Sequence, residues 1–218
     1  MNSYAVLSCG FEGLSYPLGW LEPSDKLAFV HNKQEFMLHK VKSTTEAEMI
    51  IGSSDWISLH ASLPVGYVEN YKRETFIVCL VYGKKPSPNE MSEQERRTYC
   101  SAVMQRLSAL HSQGFGCGGI SPKGIDYFRK EAKLKDPSQI FALDDSVSLF
   151  FEVAVTLRSL AREGYAKSEE LEYIASIYLS SSPVCRDGVQ SHLKSKGIPS
   201  SKPNLALAQT ALRFLQCF

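Results

Sequence analysis

The sequence is short of the features that mark several large classes of protein. Its six cysteines, Cys9, Cys79, Cys100, Cys117, Cys185 and Cys217, are scattered and form no C-x-x-C pair. That spacing argues against a zinc ribbon or a dithiol redox motif. It suits reduced thiols in a cytoplasmic or otherwise intracellular protein, several of them buried as small hydrophobes. The five histidines, His31, His39, His60, His111 and His192, likewise show no metal-binding spacing. No stretch approaches the run of about 18 apolar residues that a membrane span requires. The opening residues, MNSYAVLSCGFEG, have neither a basic start nor a long apolar segment, so no secretory leader is expected. A strong net charge is missing too. At +1 over 218 residues the balance gives a nucleic-acid surface little weight.

What is present is an ordinary globular composition, 44% hydrophobic and 22% charged, on a chain long enough to bury a sizeable core. The front third reads as strands. Leu27 to Val30 and Glu35 to Val41 flank the polar HNKQ like a hairpin, and Leu63 to Glu69 and Thr75 to Val81 form a second pair across NYKR. Within the second strand the two-residue period puts Phe36, Leu38 and Lys40 on one face. One short helix is expected inside Thr44 to Ile57, with Gly52 and two serines weakening its end. YGKKPSPNE, Tyr82 to Glu90, interrupts both periodicities with two prolines and a glycine, and the chain turns helical after it. Ser92 and Glu95 form a capping-box signature for a long helix to about Ser112, with Tyr99, Val103, Leu107 and Leu110 on its apolar face. Further helices are expected at 147–161, 168–179, 187–196 and 204–215.

The stretch LHSQGFGCGGISPKG, Leu110 to Gly124, contains G-x-G-x-x-G at glycines 114, 116 and 119. A dinucleotide fingerprint needs a strand before the glycines and a helix opening on the last, so that the helix N-terminus meets the pyrophosphate. Here a helix precedes, no sustained helical periodicity follows, and no Gly-Lys-Ser/Thr occurs. Gly114 reads instead as a helix terminator that takes a left-handed conformation without steric cost. His111, in the last turn, reads as a cap or dipole partner. A nucleophilic pair of Cys117 with His111 lacks an evident orienting acid.

These residues resemble the protein-kinase-like superfamily, in the economical form of its small atypical members. LSALHSQGF looks like the end of that fold's central helix, and CGGISPKGI takes the place of its catalytic loop. In that loop an aspartate precedes a metal-binding asparagine by five residues. The two places fall on Gly119 and Gly124. IFALDDS, Ile140 to Ser146, resembles the strand and turn bearing the family's second aspartate, matched to Asp144. Lys40 resembles the lysine that pairs the nucleotide phosphates, with Lys42 as its rival, Leu38 facing the same pocket, and Glu46 or Glu48 as its partner. CGFEG, Cys9 to Gly13, is the one candidate for a glycine-rich loop. The resemblance implies an α+β, two-lobed fold: a small strand-rich lobe over 1–82, a hinge over 83–90 and a larger helical lobe over 91–218.

Phosphoryl transfer depends on placement and charge. A glycine at 119 cannot accept the proton of an incoming hydroxyl, and a glycine at 124 cannot ligate magnesium, which asks for near-octahedral oxygen donors. The resemblance thus implies a catalytically impaired protein that binds a protein partner as a scaffold or regulator. The competing expectation is a divergent phosphotransferase that handles ATP with magnesium through Asp144 aided by Asp126 or Asp145. Lys123 to Asp136, rich in both signs of charge, reads as a solvated insertion and as the best candidate for a partner-binding element. Membrane contact is not expected, and oligomeric state is left open.

Overall fold

In the computed structural model, residues 6–7, 27–31, 33–69, 73–143, 146–198 and 208–209 are described. The expected Cys9–Gly13 loop, Asp144 and Asp145, and nearly all of the expected 204–215 helix lie outside them. The chain packs as two units, residues 1–83 together with 134–138, and residues 84–133 together with 139–218.

The first unit is built on one antiparallel sheet. Its strands are β1 (Val6–Leu7), β2 (Leu27–His31), β3 (Gln34–Val41), β4 (Pro64–Glu69) and β5 (Thr75–Leu80), in the spatial order β1-β4-β5-β3-β2. The expected hairpin of β2 and β3 forms, with Leu27 opposite Leu38 and Phe29 opposite Phe36. Alternation sorts the side chains. Phe36, Leu38, Val68 and Val78 make one buried cluster, and Val41, Ile77 and Cys79 make another with Ala47. β5 is therefore buried on both faces, which is why FIVCL is an unbroken apolar run rather than an alternating one. β1 adds two residues to the edge of β4, too short a segment to leave a period in the sequence.

The single helix expected over 44–57 is two. α1 (Thr44–Gly52) starts on Ser43, whose hydroxyl accepts from Glu46 N, while Glu46 accepts from Lys42 N at 2.6 Å. It stops where Gly52 and Ser53 break the turn, and α2 (Ser54–His60) continues at once with Ile57 and His60 buried. The serines weaken the helix where expected, but the apolar spacing resumes beyond them. After α2 a parallel bridge joins Ala61 to Leu134, with Ser62 N donating to Leu134 O at 2.7 Å.

The second unit surrounds α3 (Glu93–Ser112), which has the reciprocal capping box of Ser92 and Glu95. Tyr99, Val103, Leu107 and Leu110 are each fully buried, as their spacing predicts. Each such side chain contributes about 1.5–3 kcal/mol of burial, so this stripe outweighs the helix's weak intrinsic amphipathicity. α4 (Ser146–Arg162), α5 (Leu171–Ser181) and α6 (Pro183–Ser195) pack with it. α6 begins four residues before its expected start because Pro183 fits the first helical turn, where a missing N–H costs nothing. The segment before α3 is tied to this unit by Tyr165 Oη, which donates to Pro86 O at 2.6 Å, and by Lys85 Nζ, 2.8 Å from Glu163 Oε2.

Two small sheets follow α3. β6 (Phe115–Gly116) pairs antiparallel with β9 (Phe141–Ala142), and β7 (Ile125–Phe128) pairs with β8 (Glu131–Leu134). The hairpin of β7 and β8 corrects the expectation of a solvated insertion over 123–136. Ile125, Asp126, Ala132 and Leu134 in it are 2% exposed or less. Its turn, Arg129-Lys130, adopts positive φ at both residues, 49° and 67°. A two-residue hairpin turn of this kind favours Asn-Gly, and each non-glycine residue held there costs about 1–2 kcal/mol. No turn signal in the sequence could have announced it. No described helix is long and apolar enough to cross a membrane.

Candidate functional site

The glycine loop after α3 is built from the backbone outward. Gly114 takes φ +81° and donates to His111 O at 3.1 Å, ending the helix in the way its sequence position implies. The chain then runs through β6 to Cys117, Gly118 at φ +74° and Gly119 at φ +88°. Two side chains of α4 hold this course. Thr156 Oγ1 accepts from Ile120 N at 2.8 Å. Glu152, 1% exposed, accepts from Cys117 N through both carboxylate oxygens at 3.1 and 2.9 Å, with the Gly118 N–H adding to the cradle. A Cβ at Gly116 would collide with Glu152 Oε1, so that glycine makes room for the carboxylate.

A second tier supports the carboxylate. His111 Nε2 lies 3.1 Å from Glu152 Oε2, and His111 Nδ1 lies 2.6 Å from Tyr178 Oη. His111 is therefore not a helix-end cap but the buried middle of a Tyr178–His111–Glu152 chain. Burial pushes the Glu152 carboxyl up. The hydrogen bonds from His111 and from the Cys117 and Gly118 N–H groups outweigh it and hold the group below its ordinary value. The same chain disposes of a Cys117/His111 nucleophile. The missing orienting acid exists, but the thiol of Cys117 points to Glu152 at 3.7 Å, and both imidazole nitrogens are taken by other groups. Burial and then the Glu152 charge drive the Cys117 thiol far up, so it stays protonated.

The residues matched by resemblance are placed as follows. A Cβ at Gly119 would lie 2.8 Å from Val155 Cβ and Cγ1 and 3.1 Å from Glu152 O, so a side chain there would point into α4. Gly124 ends a 3-10 turn, Pro122–Gly124, and a Cβ there would meet nothing within 4 Å. Leu38 is 2% exposed in the sheet core. Lys40 shares its face, as the period requires, but is 51% exposed and pairs with Glu74 Oε1 at 2.6 Å. Neither glutamate named for it fills that role: Glu46 caps α1, and Glu48 Oε1 lies 3.3 Å from Tyr67 Oη. Asp126 is 1% exposed in β7. Among the described residues no three His, Cys, Asp or Glu side chains are grouped to hold a metal ion. Asp144 and Asp145, the other residues assigned to ATP and magnesium, lie outside the described residues.

One pairing had no sequence signal. Asp136 follows β8 at a strand-and-turn position. Its Oδ1 accepts from Ser138 N at 3.0 Å and Oγ at 2.6 Å, and its Oδ2 lies 3.5 Å from His39 Nδ1. His39, the neighbour of Lys40 on β3, faces the opposite side of the sheet and is 3% exposed. Glu152 did leave a trace, as the only acid in the apolar run SLFFEVAVTL.

No family model matches the chain, and no curated protein matches it. Two solved structures similar in fold are kinases. One is the bifunctional kinase-methyltransferase WbdD, with 13% identity and a TM-score of 0.45, the match covering 86% of this chain and 47% of that one. The other is a divergent kinase lacking the glycine-rich loop that regulates membrane ultrastructure of the Toxoplasma parasitophorous vacuole. There the identity is 10% and the TM-score 0.48, with 81% and 73% of the two chains covered. This chain spans about half the length of the first. At such scores the chemistry of the site rests on its own residues.

Proposed function

We propose that this is a kinase-like protein that acts by binding a protein partner, as a scaffold or regulator, and does not transfer phosphate. The observation that carries this reading is the direction of position 119. Its backbone is left-handed, and any side chain there would run into Val155. A side chain at the position the resemblance matches to a proton-accepting carboxylate would thus be directed at α4, which supports this reading. Glu152, His111 and Tyr178 hold that turn, so the loop serves as a packed structural element. The described thiols Cys79, Cys100, Cys117 and Cys185 are all buried and form no disulfide, which favours a reducing, intracellular setting.

The competing reading, a divergent phosphotransferase, draws on Asp136 beside His39, or on Asp144 with Asp126 or Asp145. One experiment separates the two. Purified full-length protein is incubated with magnesium and ATP, and ADP release and phosphate incorporation into itself and a generic substrate are followed. The expected result is no turnover above a denatured control. Metal-dependent turnover that disappears in Asp136→Ala or Asp144→Ala would refute the non-catalytic reading.

A further inference from the structure

The hairpin of β7 and β8 ends in a tip whose residues suit contact better than folding. Its turn demands two residues of positive φ, and the sequence supplies Arg129 and Lys130, two cations, rather than the Asn-Gly that meets the demand with least strain. Strain of this sort collects where a site needs particular side chains. Beside the turn, Phe128 is 46% exposed, and the guanidinium of Arg129 stands 5.0 Å from its ring centroid. The base of the hairpin is fixed. Tyr127 meets Tyr99 edge-on at 5.0 Å, and Arg106 Nε donates to Ala132 O at 2.6 Å. The tip is therefore presented on a rigid support. Lys133, behind it, has its ammonium pushed down by burial and then by the charge of Arg106, and of the hairpin's two acids Asp126 is buried while Glu131 adjoins the tip.

We propose that the tip Phe128-Arg129-Lys130 is a docking element for an acidic segment of a partner protein, the two cations pairing with carboxylates while Phe128 takes an apolar contact. This deepens the binding function proposed above and rests on it only in treating partner binding as the protein's work. An acidic peptide fits better than nucleic acid or an anionic bilayer. Nucleic-acid binding commonly neutralises several phosphates, and lipid-binding segments cluster about four to eight cations, whereas the exposed tip offers two. A single exposed aromatic beside paired cations matches a short segment with carboxylates around one apolar residue.

The test uses the full chain and a fluorescein-labelled peptide of alternating aspartate and glutamate with one central leucine, read by anisotropy at low and moderate salt. A labelled oligothymidylate and phosphatidylserine vesicles serve as the other probes. The double variant Arg129→Asn/Lys130→Gly restores the favoured turn, so it should raise the melting temperature by a few degrees. It should also weaken peptide binding about tenfold, and Phe128→Ser should weaken it about fivefold. Unchanged peptide affinity in the folded double variant would overturn the proposal, as would no peptide binding, or tighter binding of the oligonucleotide or the vesicles. Turnover of ATP bears on the non-catalytic reading alone, so the two can fail separately.

Discussion

Placing an aspartate at position 119 is the sharpest perturbation, because the structure states what it should cost. Gly119→Asp forces a non-glycine residue to φ +88°, outside the region where L-residues are at ease. That costs about 1–2 kcal/mol, with aspartate among the better tolerated. Its Cβ also arrives 2.8 Å from two atoms of Val155 and 3.1 Å from Glu152 O. Overpacking of this kind costs about 1–3 kcal/mol. The sum is roughly 2–5 kcal/mol. For a chain of this size that lowers the melting temperature by about 4–20 °C. Gly124→Asn, where an added Cβ meets nothing within 4 Å, should stay within about 0.5 kcal/mol of the parent. Adding Val155→Ala to Gly119→Asp should relieve the steric part and leave the backbone part, giving a coupling of about 1–3 kcal/mol in a double-mutant cycle. Urea and thermal unfolding of the four variants read all of this. A Gly119→Asp protein as stable as the parent would show that the loop does not run as described. So would magnesium-dependent turnover gained by Gly119→Asp/Gly124→Asn.

Other outcomes follow from the carboxylate anchor and its surroundings. Glu152→Ala removes the acceptor of the Cys117 N–H and leaves His111 buried without its acid, so it should cost about 3–5 kcal/mol. Glu152→Gln should cost about 1–3 kcal/mol, and in both variants the amide of Cys117 should lose hydrogen-exchange protection. Because the folded-state carboxyl of Glu152 lies below its ordinary value of 4.5, its contribution is present above that pH. It is lost as pH falls through the lower, folded-state value, so acid unfolding curves of the parent and Glu152→Gln should converge only once the pH is below that value. Lys40→Ala and Glu74→Ala should each change stability by under about 1 kcal/mol, since the pair is solvent-exposed. Burial raises the Cys100 thiol to about 12, and Cys117 is raised in the same way. Both should therefore resist alkylation at neutral pH until the protein is unfolded, as mass spectrometry of labelled peptides would show.

The parts legible in the sequence were those set by local period and capping. β2, β3, β4 and β5 follow from alternation and apolar runs, and α3 from its capping box and four-residue apolar spacing. The hairpin of β7 and β8 was hidden because its turn is made by Arg129 and Lys130, residues that long-range packing of Ile125, Ala132 and Leu134 holds in a conformation they do not prefer. His111 looked like a cap because its partners, Glu152 and Tyr178, are 41 and 67 residues away. Lys40 obeyed the two-residue period and shares its face with buried Phe36 and Leu38, yet the period cannot say how far along β3 that cover extends. The structure buries His39 and leaves Lys40 at the surface. The glycines of the loop stand in the sequence, but only coordinates give the direction a side chain would take there.

A carboxylate that grips peptide N–H groups is blind to what those residues carry. As long as Glu152 stays in place, position 117 can exchange one small side chain for another while the chain traces the same path. The course of this turn is thereby dictated from a neighbouring helix rather than by the turn's own side chains.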